Sequence, residues 1–532
     1  MCGKSARGNY HGTERFSPLC GGAEYAIILP KWRVRADGRR NIREESHMKE
    51  WTREERYREL HDAEEVRGLY EQISKSAYRQ KYHIQPVTGL SSDPNGFALH
   101  KGVWHLCYQW CPWGAVHGLK YWYHVTSEDL IHWRNAGIGL KPDCYYDNRG
   151  THSGSAISSG DDLYFFYTGN HRDEDWTRTP YTCAAVLGAD NRPHKLEKPL
   201  FGPRDDYSEH QRDPKIVWNE QKKLYFIFIG AQTMDKRGTV LIYKSPELLT
   251  GWTFAGELKV PGFEKFGGMW ECPYIVNISG KDVLIFSPQY TKLPGRAEST
   301  NHNVYLIGAM DYDTLTFTPE GDYRYLDFGF DFYAAQGAAN VGDPDKAILI
   351  AWIGLPDAHY PTEEEDWEGS MSLPRELRRK DGRLVQTPIS GIETLRDKEL
   401  TPDGTLPAAC ELEVCPADGD FDLNLFTKSD GSGGMRLHYD AAKKTCTVDK
   451  TGMTKRFNRT VGEVLDMPLD SPLKKLQIFI DRSSTEIFAN DGEATFTTRS
   501  YPTESEFHYT VTPSASVKLW TMKPSVVDDF VI

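Results

Sequence analysis

Three acidic residues, Asp93, Asp213 and Glu271, lie in polar, tightly turning segments of the chain. Each segment precedes a short apolar run by about 10 to 14 residues. Two carboxyl groups can break a glycosidic bond, because one protonates the leaving oxygen while the other attacks or stabilises the sugar cation. Trp270 and Tyr333 add flat aromatic faces of the kind that sugar rings contact. These residue types predict a glycosidase site.

The three carboxylates can act together only if the elements that carry them repeat around an axis. Between His83 and Gly391, apolar runs with the aromatic and β-branched composition of buried strands start about 60 residues apart. A unit of several strands repeated in this way predicts a β-propeller, in which equivalent early segments surround one funnel. A β-sandwich with accidental spacing is the alternative. The five runs are Trp104–Gln109, Leu163–Thr168, Leu224–Ile229, Val283–Phe286 and Ala347–Trp352.

Sequence patterns divide the rest of the chain into a segment before the repeat and a segment after it. Thr52 and Glu55 form a capping-box pair at the start of a predicted helix that runs from Met48 to about Lys81. After Gly391 the repeat stops, and short alternating runs predict antiparallel strands. We expect an N-terminal extension that lies before a candidate natural start (1–47), a helical lead-in (48–82), the propeller (83–391), a linker (392–409) and a β-sandwich (410–532).

Composition limits the function classes. The chain has 532 residues and a formal net charge of −13, which disfavours nucleic-acid and membrane-surface partners. No stretch approaches the roughly 20 apolar residues of a membrane helix. Ten dispersed cysteines and the lack of a visible secretory signal favour a cytoplasmic protein with reduced thiols. We expect a small sugar as the partner and no cofactor, and the oligomeric state stays open.

The polar segments also carry a family resemblance. The chain resembles the β-fructofuranosidases of glycoside hydrolase family 32, the invertase and sucrose-6-phosphate hydrolase family, in its intracellular bacterial form. The resemblance implies an all-β fold, with a five-bladed β-propeller followed by a C-terminal β-sandwich. The matching motifs are SSDPNG (91–96), YQ (108–109), HSGSA (152–156), RDPK (212–215), MWECPY (269–274), FDFYAAQ (330–336) and SMSLPREL (370–377).

The resemblance implies retaining hydrolysis of a terminal β-D-fructofuranoside. Asp93 would be the nucleophile at fructose C2, and Glu271 the acid/base that protonates the departing glucosyl oxygen. Asp213 would hold fructose hydroxyls and stabilise the transition state. The residues expected to bind the substrate are Asn95, Gln109, Ser153, Arg212, His117, Tyr333 and Trp352.

The chain departs from the common family pattern at two positions. Ser92 stands where the family usually has Asn before the nucleophile, and His117 stands where a Trp is frequent. His117 and Lys120 either favour a phosphate on the substrate or form ordinary polar lining. The spacing of His117 from Cys107 and Cys111 matches no zinc module, so we expect no metal.

Two other functions remain open. A fructosyltransferase would use the same covalent intermediate but pass fructose to another sugar. A sugar-binding propeller without turnover would need none of the three carboxylates. The sequence also leaves open whether the substrate is sucrose, sucrose 6-phosphate or a short fructo-oligosaccharide.

Overall fold

The computed structural model describes residues 49–296, 299–458 and 462–532, which belong to one compact unit. The expected extension, residues 1–47, lies outside the described residues. Strands dominate, so the predicted all-β class is confirmed. In the described part of the chain, no helix combines the length and the apolar composition needed to cross a membrane.

Two short helices, α1 (Arg53–Arg56) and α2 (Glu64–Ile73), precede the first strand. At α1 the Glu55 N–H donates to Thr52 Oγ1 (3.2 Å) and the Thr52 N–H donates to Glu55 Oε2 (2.9 Å), which is the expected capping box.

The prediction of one continuous helix over residues 48–81 is wrong. Between α1 and α2 the chain extends, so that Leu60 is buried and its N–H donates to the hydroxyl of Tyr121 at 2.8 Å. This tertiary contact outweighs the local helical pattern.

The next segments form five antiparallel sheets, numbered here in chain order. Sheet 1 contains β1 (Gly89–His100), β2 (Val103–Cys111), β3 (Tyr121–Ser127) and β4 (Trp133–Leu140). Sheet 2 contains β5 (Thr151–Ser159), β6 (Asp162–Arg172), β7 (Arg178–Leu187) and β8 (Pro193–Lys195). Sheet 3 contains β9 (Tyr207–Asn219), β10 (Leu224–Thr233), β11 (Gly238–Ser245) and β12 (Thr253–Glu257).

Sheets 4 and 5 continue the same pattern. Sheet 4 contains β13 (Met269–Ile278), β14 (Lys281–Gln289), β15 (Val304–Asp311), β16 (Thr316–Pro319) and β17 (Arg324–Tyr325). Sheet 5 contains β18 (Tyr333–Gly337), β19 (Ala347–Trp352), β21 (Arg375–Lys380) and β22 (Arg383–Pro388), whereas β20 (Trp367–Glu368) pairs in parallel with β1.

The first strands of these sheets contact one another in the order β1, β5, β9, β13 and β18, and β18 contacts β1 again. The sheets are therefore arranged as a ring around an axis, which is the propeller arrangement. Apolar side chains fill the space between neighbouring sheets: Trp122 packs with Phe165 between sheets 1 and 2, and Phe166 with Ile227 between sheets 2 and 3. Each of the five apolar runs that revealed the repeat is the second strand of its sheet.

The C-terminal part is a sandwich of two antiparallel sheets around its own apolar core. One sheet orders its strands as β23 (Arg396–Leu400), β33 (Ser516–Met522), β24 (Ala409–Cys415), β29 (Leu476–Asp481), β30 (Ser484–Ala489) and β31 (Ala494–Arg499). The other orders them as β28 (Val464–Pro468), β27 (Thr445–Gly452), β26 (Gly434–Asp440), β25 (Phe421–Thr427) and β32 (His508–Thr512).

A buried charge network joins the propeller to the sandwich. Arg375 donates to Asp327 Oδ2 (2.9 Å) and to Glu486 Oε2 (2.5 Å). His83 lies between Asp481 Oδ2 (2.9 Å) and Glu486 Oε1 (3.0 Å). All five side chains are fully buried or nearly so, and the charges offset one another there.

Candidate active site

The first strand of every propeller sheet carries a β-bulge at or before its middle. In each case the pairing register with the second strand shifts, which leaves one or two residues of the first strand without a direct partner. A bulge interrupts the alternation of side chains between the two faces of a strand, so it changes the direction in which a side chain points. The residues left unpaired at one such shift in each strand are Asp93, Ser153, Asp213–Pro214, Cys272–Pro273 and Ala334–Ala335, and β1 and β9 each contain a second shift.

Three of these bulges use left-handed backbone conformations. The φ angles are 66° at Asp213, 49° at Cys272 and 51° at Ala334. Such conformations cost roughly 1–3 kcal/mol each in residues other than glycine, and they concentrate at functional sites. The bulges therefore indicate that the polar groups at the start of the first strands form a site.

Asp93 is held by hydrogen bonds from two neighbouring strands. Ser153 Oγ donates to Asp93 Oδ2 at 2.6 Å, and Gln109 Nε2 donates to the same oxygen at 3.3 Å. Asn95 is fully buried: its Nδ2 donates to the Asp93 carbonyl (2.7 Å), and its Oδ1 accepts the Gly154 N–H (2.9 Å). Asn95 thus braces the bulge of β1 against β5, and we interpret it as a positioning residue behind the site.

Gln109 connects the residues around Asp93. Its Nε2 also contacts Ser153 Oγ, and its Oε1 accepts hydrogen bonds from Lys120 Nζ and from Ser92 Oγ, the latter at 3.3 Å. Ser92 therefore binds a neighbouring side chain from the position where the common family pattern has Asn.

Asp213 is buried, and its carboxylate makes no ion pair in the described residues. The Cys272 N–H donates to Asp213 Oδ2 at 3.1 Å. Burial raises the pKa of Asp213 to about 7, the charges of Glu271 and Asp93 act in the same direction, and Arg212 opposes them. The contributions of Glu271 and Asp93 to this pKa place the three carboxylates in one neighbourhood.

Glu271 is oriented from both sides. Arg212 donates to Glu271 Oε1 from Nε (3.0 Å) and Nη2 (2.6 Å), and the Tyr333 hydroxyl donates to Oε2 (2.6 Å). Burial and the charge of Glu271 raise the pKa of Tyr333 well above its usual value, with Asp93 a weaker contributor. Tyr333 therefore lies near the nucleophile candidate as well as the acid candidate.

Trp352 and His117 lie against each other next to Tyr333. Trp352 pairs with Tyr333 across β18 and β19, is 1% exposed, and its Nε1 has no hydrogen-bond partner among the described residues. The His117 ring lies edge-to-face with Trp352 at 6.2 Å between centroids. Burial lowers the pKa of His117 well below its usual value, and Lys120 and Arg56 add to the effect.

Thr168 is a site residue that the sequence reasoning missed. Its Oγ1 accepts the N–H of Asp213 at 2.9 Å, which fixes the strained backbone of the bulge in β9. The available signal was its position as the one polar residue at the end of the apolar run of β6. The structure thus brings Asp93, Asp213 and Glu271 from three sheets to one end of the ring, with donors around each carboxylate.

The comparisons with known proteins agree with this fold. Residues 83–388 match the Glycosyl hydrolases family 32 N-terminal domain, and residues 375–523 match the Glycosyl hydrolases family 32 C terminal domain. A sucrose-6-phosphate hydrolase from Staphylococcus xylosus is 37% identical over 475 residues, covering 86% of this chain and 94% of the relative. One from Lactococcus lactis subsp. lactis is 36% identical over 496 residues, covering 89% and 99%.

Solved structures give the same result. The sucrose-6-phosphate hydrolase from Lactobacillus gasseri superposes with a TM-score of 0.84 at 35% identity, over 90% of this chain and 100% of its own. A mutant of the Bombyx mori family 32 β-fructofuranosidase in complex with sucrose gives a TM-score of 0.75 at 29% identity, over 88% and 100%. The chain therefore belongs to glycoside hydrolase family 32 and is a glycoside hydrolase with a β-propeller followed by a β-sandwich.

Proposed function

We propose that the enzyme hydrolyses terminal β-D-fructofuranosyl residues of sucrose, sucrose 6-phosphate or short fructo-oligosaccharides with retention of configuration. One observation carries the proposal. Three first strands of the ring each supply one carboxyl group, and each carboxyl group accepts hydrogen bonds from its own donors: Asp93, Asp213 and Glu271. Relatives named as sucrose-6-phosphate hydrolases and β-fructofuranosidases support the substrate class.

In the first step Asp93 attacks C2 of the fructosyl group. The bond between C2 and the glucosyl oxygen breaks, and that oxygen takes the proton of Glu271. The product is a fructosyl ester of Asp93 together with free glucose or glucose 6-phosphate.

In the second step water attacks the same C2. Glu271, now a carboxylate, takes a proton from the water, and the ester bond to Asp93 breaks to release fructose. Asp213 contacts neither the leaving oxygen nor the water in this scheme. It accepts hydrogen bonds from fructose hydroxyls, and these bonds strengthen as positive charge develops on the ring.

A substrate panel tests the proposal. The enzyme is given sucrose, sucrose 6-phosphate and a short fructo-oligosaccharide, and free fructose is measured at early times. Absence of fructose release from every fructoside would leave a sugar-binding propeller as the better account. Longer oligosaccharides as the main product at high sucrose would instead make the enzyme a fructosyltransferase.

We also propose a cytoplasmic location. The cysteines in the described residues are free thiols, and most of them are buried, which suits a reducing compartment.

A further inference from the structure

Two arginines face each other at the edge of the site without a carboxylate between them. Arg172 on β6 and Arg178 on β7 are direct cross-strand partners, so their side chains project from the same face of sheet 2. Like charges directly opposite each other destabilise an antiparallel pair. Neither guanidinium makes an ion pair with any carboxylate in the part of the chain that the structure describes.

The pair lies on the face of β6 that carries Thr168, the residue that holds the backbone of Asp213. Alternate residues of a strand share a face, so Thr168, Asn170 and Arg172 project in the same direction. Thr168 accepts the Asp213 N–H, and Asn170 Oδ1 accepts a hydrogen bond from Arg178 Nε at 2.7 Å. Arg172 lies four positions after Thr168, which places the arginine about 13 Å further along the strand.

Further cations surround this position. Burial lowers the pKa of His152 well below its usual value, and the next contributors, in order, are Lys120, Arg178, Arg212 and Arg172. The pKa of His210 falls to about 3, because of burial first and then chiefly Arg212 and Arg178. Both imidazoles are therefore neutral at physiological pH. The cations that lower their pKa values outweigh any nearby anions at this position.

The acidic residues nearby do not neutralise the pair. Glu209 and Asp213 act on Arg178 in the direction that raises its pKa, yet burial and Arg212 lower that pKa to about 10. Asp213 already has a raised pKa of its own. The arginines therefore remain in a field that favours an added anion.

Arg172 is also oriented and has a free donor. Its Nη1 donates to the Trp176 carbonyl at 2.7 Å, and its guanidinium lies 5.3 Å from the centroid of the Trp176 ring. Its Nε is buried and has no hydrogen-bond partner among the described residues. Because Nε is enclosed, the donor that a ligand can reach is Nη2, which makes no hydrogen bond within the described residues and is not enclosed.

We propose that Arg172 and Arg178 bind the phosphate monoester on the glucosyl half of the substrate, and so set a preference for sucrose 6-phosphate over sucrose. A phosphate monoester carries close to two negative charges and three acceptor oxygens, which match two guanidinium groups. A neutral glucosyl hydroxyl cannot offset the repulsion between them. The inference rests on the proposed function, because it places the leaving-group sugar between Glu271 and this pair.

The test compares two substrates in four proteins: wild type, Arg172→Gln, Arg178→Gln and Arg192→Gln. Arg192 is exposed in the turn before β8 of the same sheet, at the end away from the site, and serves as the matched control. We expect wild type to prefer sucrose 6-phosphate in kcat/KM. The ratio of kcat/KM for the phosphate ester to that for sucrose should fall about 10- to 100-fold in each site variant, mainly through KM.

The control should keep the wild-type ratio. An unchanged ratio in both site variants, or a wild type that does not prefer the phosphate ester, would overturn the inference. Equal losses for the two substrates would also overturn it, since they would show a general effect on the site. Arg172→Lys keeps the charge without the fork of donors, and it should lower the ratio less than Arg172→Gln does.

A binding measurement separates this inference from the proposed function. Calorimetric titration with glucose 6-phosphate and with glucose needs no turnover. We expect tighter binding of the phosphate ester by wild type, and a loss of that difference in Arg172→Gln and Arg178→Gln but not in Arg192→Gln. A wild type that cleaves no fructoside but shows this difference would reject the hydrolase while keeping the anion site, and equal binding of both sugars would reject the anion site.

Discussion

Arg212 binds a single oxygen of Glu271 through two of its nitrogens, Nε at 3.0 Å and Nη2 at 2.6 Å. The guanidinium comes from sheet 3 and the carboxyl from sheet 4, so the contact crosses the boundary between two sheets. Each residue directly precedes the unpaired residues of a bulge, in β9 and in β13. The orientation of the Glu271 carboxyl therefore depends on the position of sheet 3 relative to sheet 4.

Glu271→Gln should lower the rate of sucrose hydrolysis by several orders of magnitude with little change in thermal unfolding. The amide keeps the shape of the side chain and an acceptor for Arg212 but has no proton to transfer, and general acid–base catalysis contributes about 10²–10⁴-fold in each step. Initial rates of fructose release and the unfolding midpoint measure the two effects.

The proposed role of Glu271 as a proton donor has a second consequence. With an aryl fructofuranoside, whose leaving group departs without protonation, Glu271→Gln should still release a burst of one phenol per enzyme before turnover slows. Glu320→Gln, at an exposed position directly after β16 of the same sheet, is the control and should behave as wild type. Full activity of Glu271→Gln on sucrose would assign the acid to another residue.

Asp213→Asn should lower turnover by about 100-fold or more without loss of thermal stability, because its proposed partners are substrate hydroxyls that bind more strongly in the transition state. The Cys272 N–H can still donate to the amide oxygen, and the substitution removes a buried charge that has no ion-pair partner among the described residues. Asp235→Asn, an exposed substitution in the turn between β10 and β11, serves as the control. An unfolded Asp213→Asn protein would make Asp213 a structural residue.

The raised pKa of Asp213 also predicts a pH dependence. In the unfolded chain the pKa is about 3.8, and in the fold it is about 7. The folded state thus binds the proton more tightly, so this group stabilises the fold below pH 3.8 and loses that contribution as the pH rises through 7. Wild type should lose more stability between pH 5 and pH 8 than Asp213→Asn does, as measured by denaturant unfolding. Parallel profiles would contradict the assignment.

The sequence predicted the repeat because each buried second strand is a short aromatic and β-branched run, and such a run can be recognised from neighbouring residues alone. It also placed three carboxylates at equivalent positions of the repeat, and the structure has them on the first strands of sheets 1, 3 and 4. It did not predict that the side chain of Asn95 is hydrogen-bonded to the backbone of β1 and β5. It also did not predict that Arg172 and Arg178 face each other. Those outcomes depend on bulge positions and strand register, which contacts between distant segments determine.

The junction between propeller and sandwich should lose stability at alkaline pH through His83. Burial alone would lower the pKa of His83, but hydrogen bonds with Asp481 and Glu486 raise it from 6.5 to about 9. The protonated form is therefore bound more tightly in the fold. Its contribution is complete below pH 6.5 and disappears as the pH rises through about 9.

Thermal unfolding measured between pH 6 and pH 10 checks this dependence. His83→Gln should be less stable than wild type at pH 6, by about 3–5 kcal/mol, because it leaves two buried carboxylates without their shared cation. The difference should shrink toward pH 10. His132→Gln, which changes an exposed histidine, is the control and should follow wild type. A His83→Gln protein that kept its deficit unchanged at pH 10 would rule out a protonated His83.

The stereochemistry of the released fructose tests whether Asp93 attacks the sugar or only assists water. Direct attack forms an ester with inverted configuration at C2, and the second attack by water restores the original configuration. The first fructose released should therefore be the β-furanose, which carbon NMR at early times distinguishes from the α-furanose. The glucose half gives no information, since the bond to its anomeric carbon stays intact.

Asp93→Ala should then abolish hydrolysis even of substrates with good leaving groups, because no other group in the described site replaces the nucleophile. Ser153 and Gln109, which donate to Asp93 Oδ2, would lose their acceptor, so the unfolding midpoint of this variant must be measured beside its activity. Asp93→Asn keeps the size of the side chain and should be equally inactive while folded. A fresh α-fructofuranose signal from wild type would show a single displacement by water, and it would reassign Asp93 as a base.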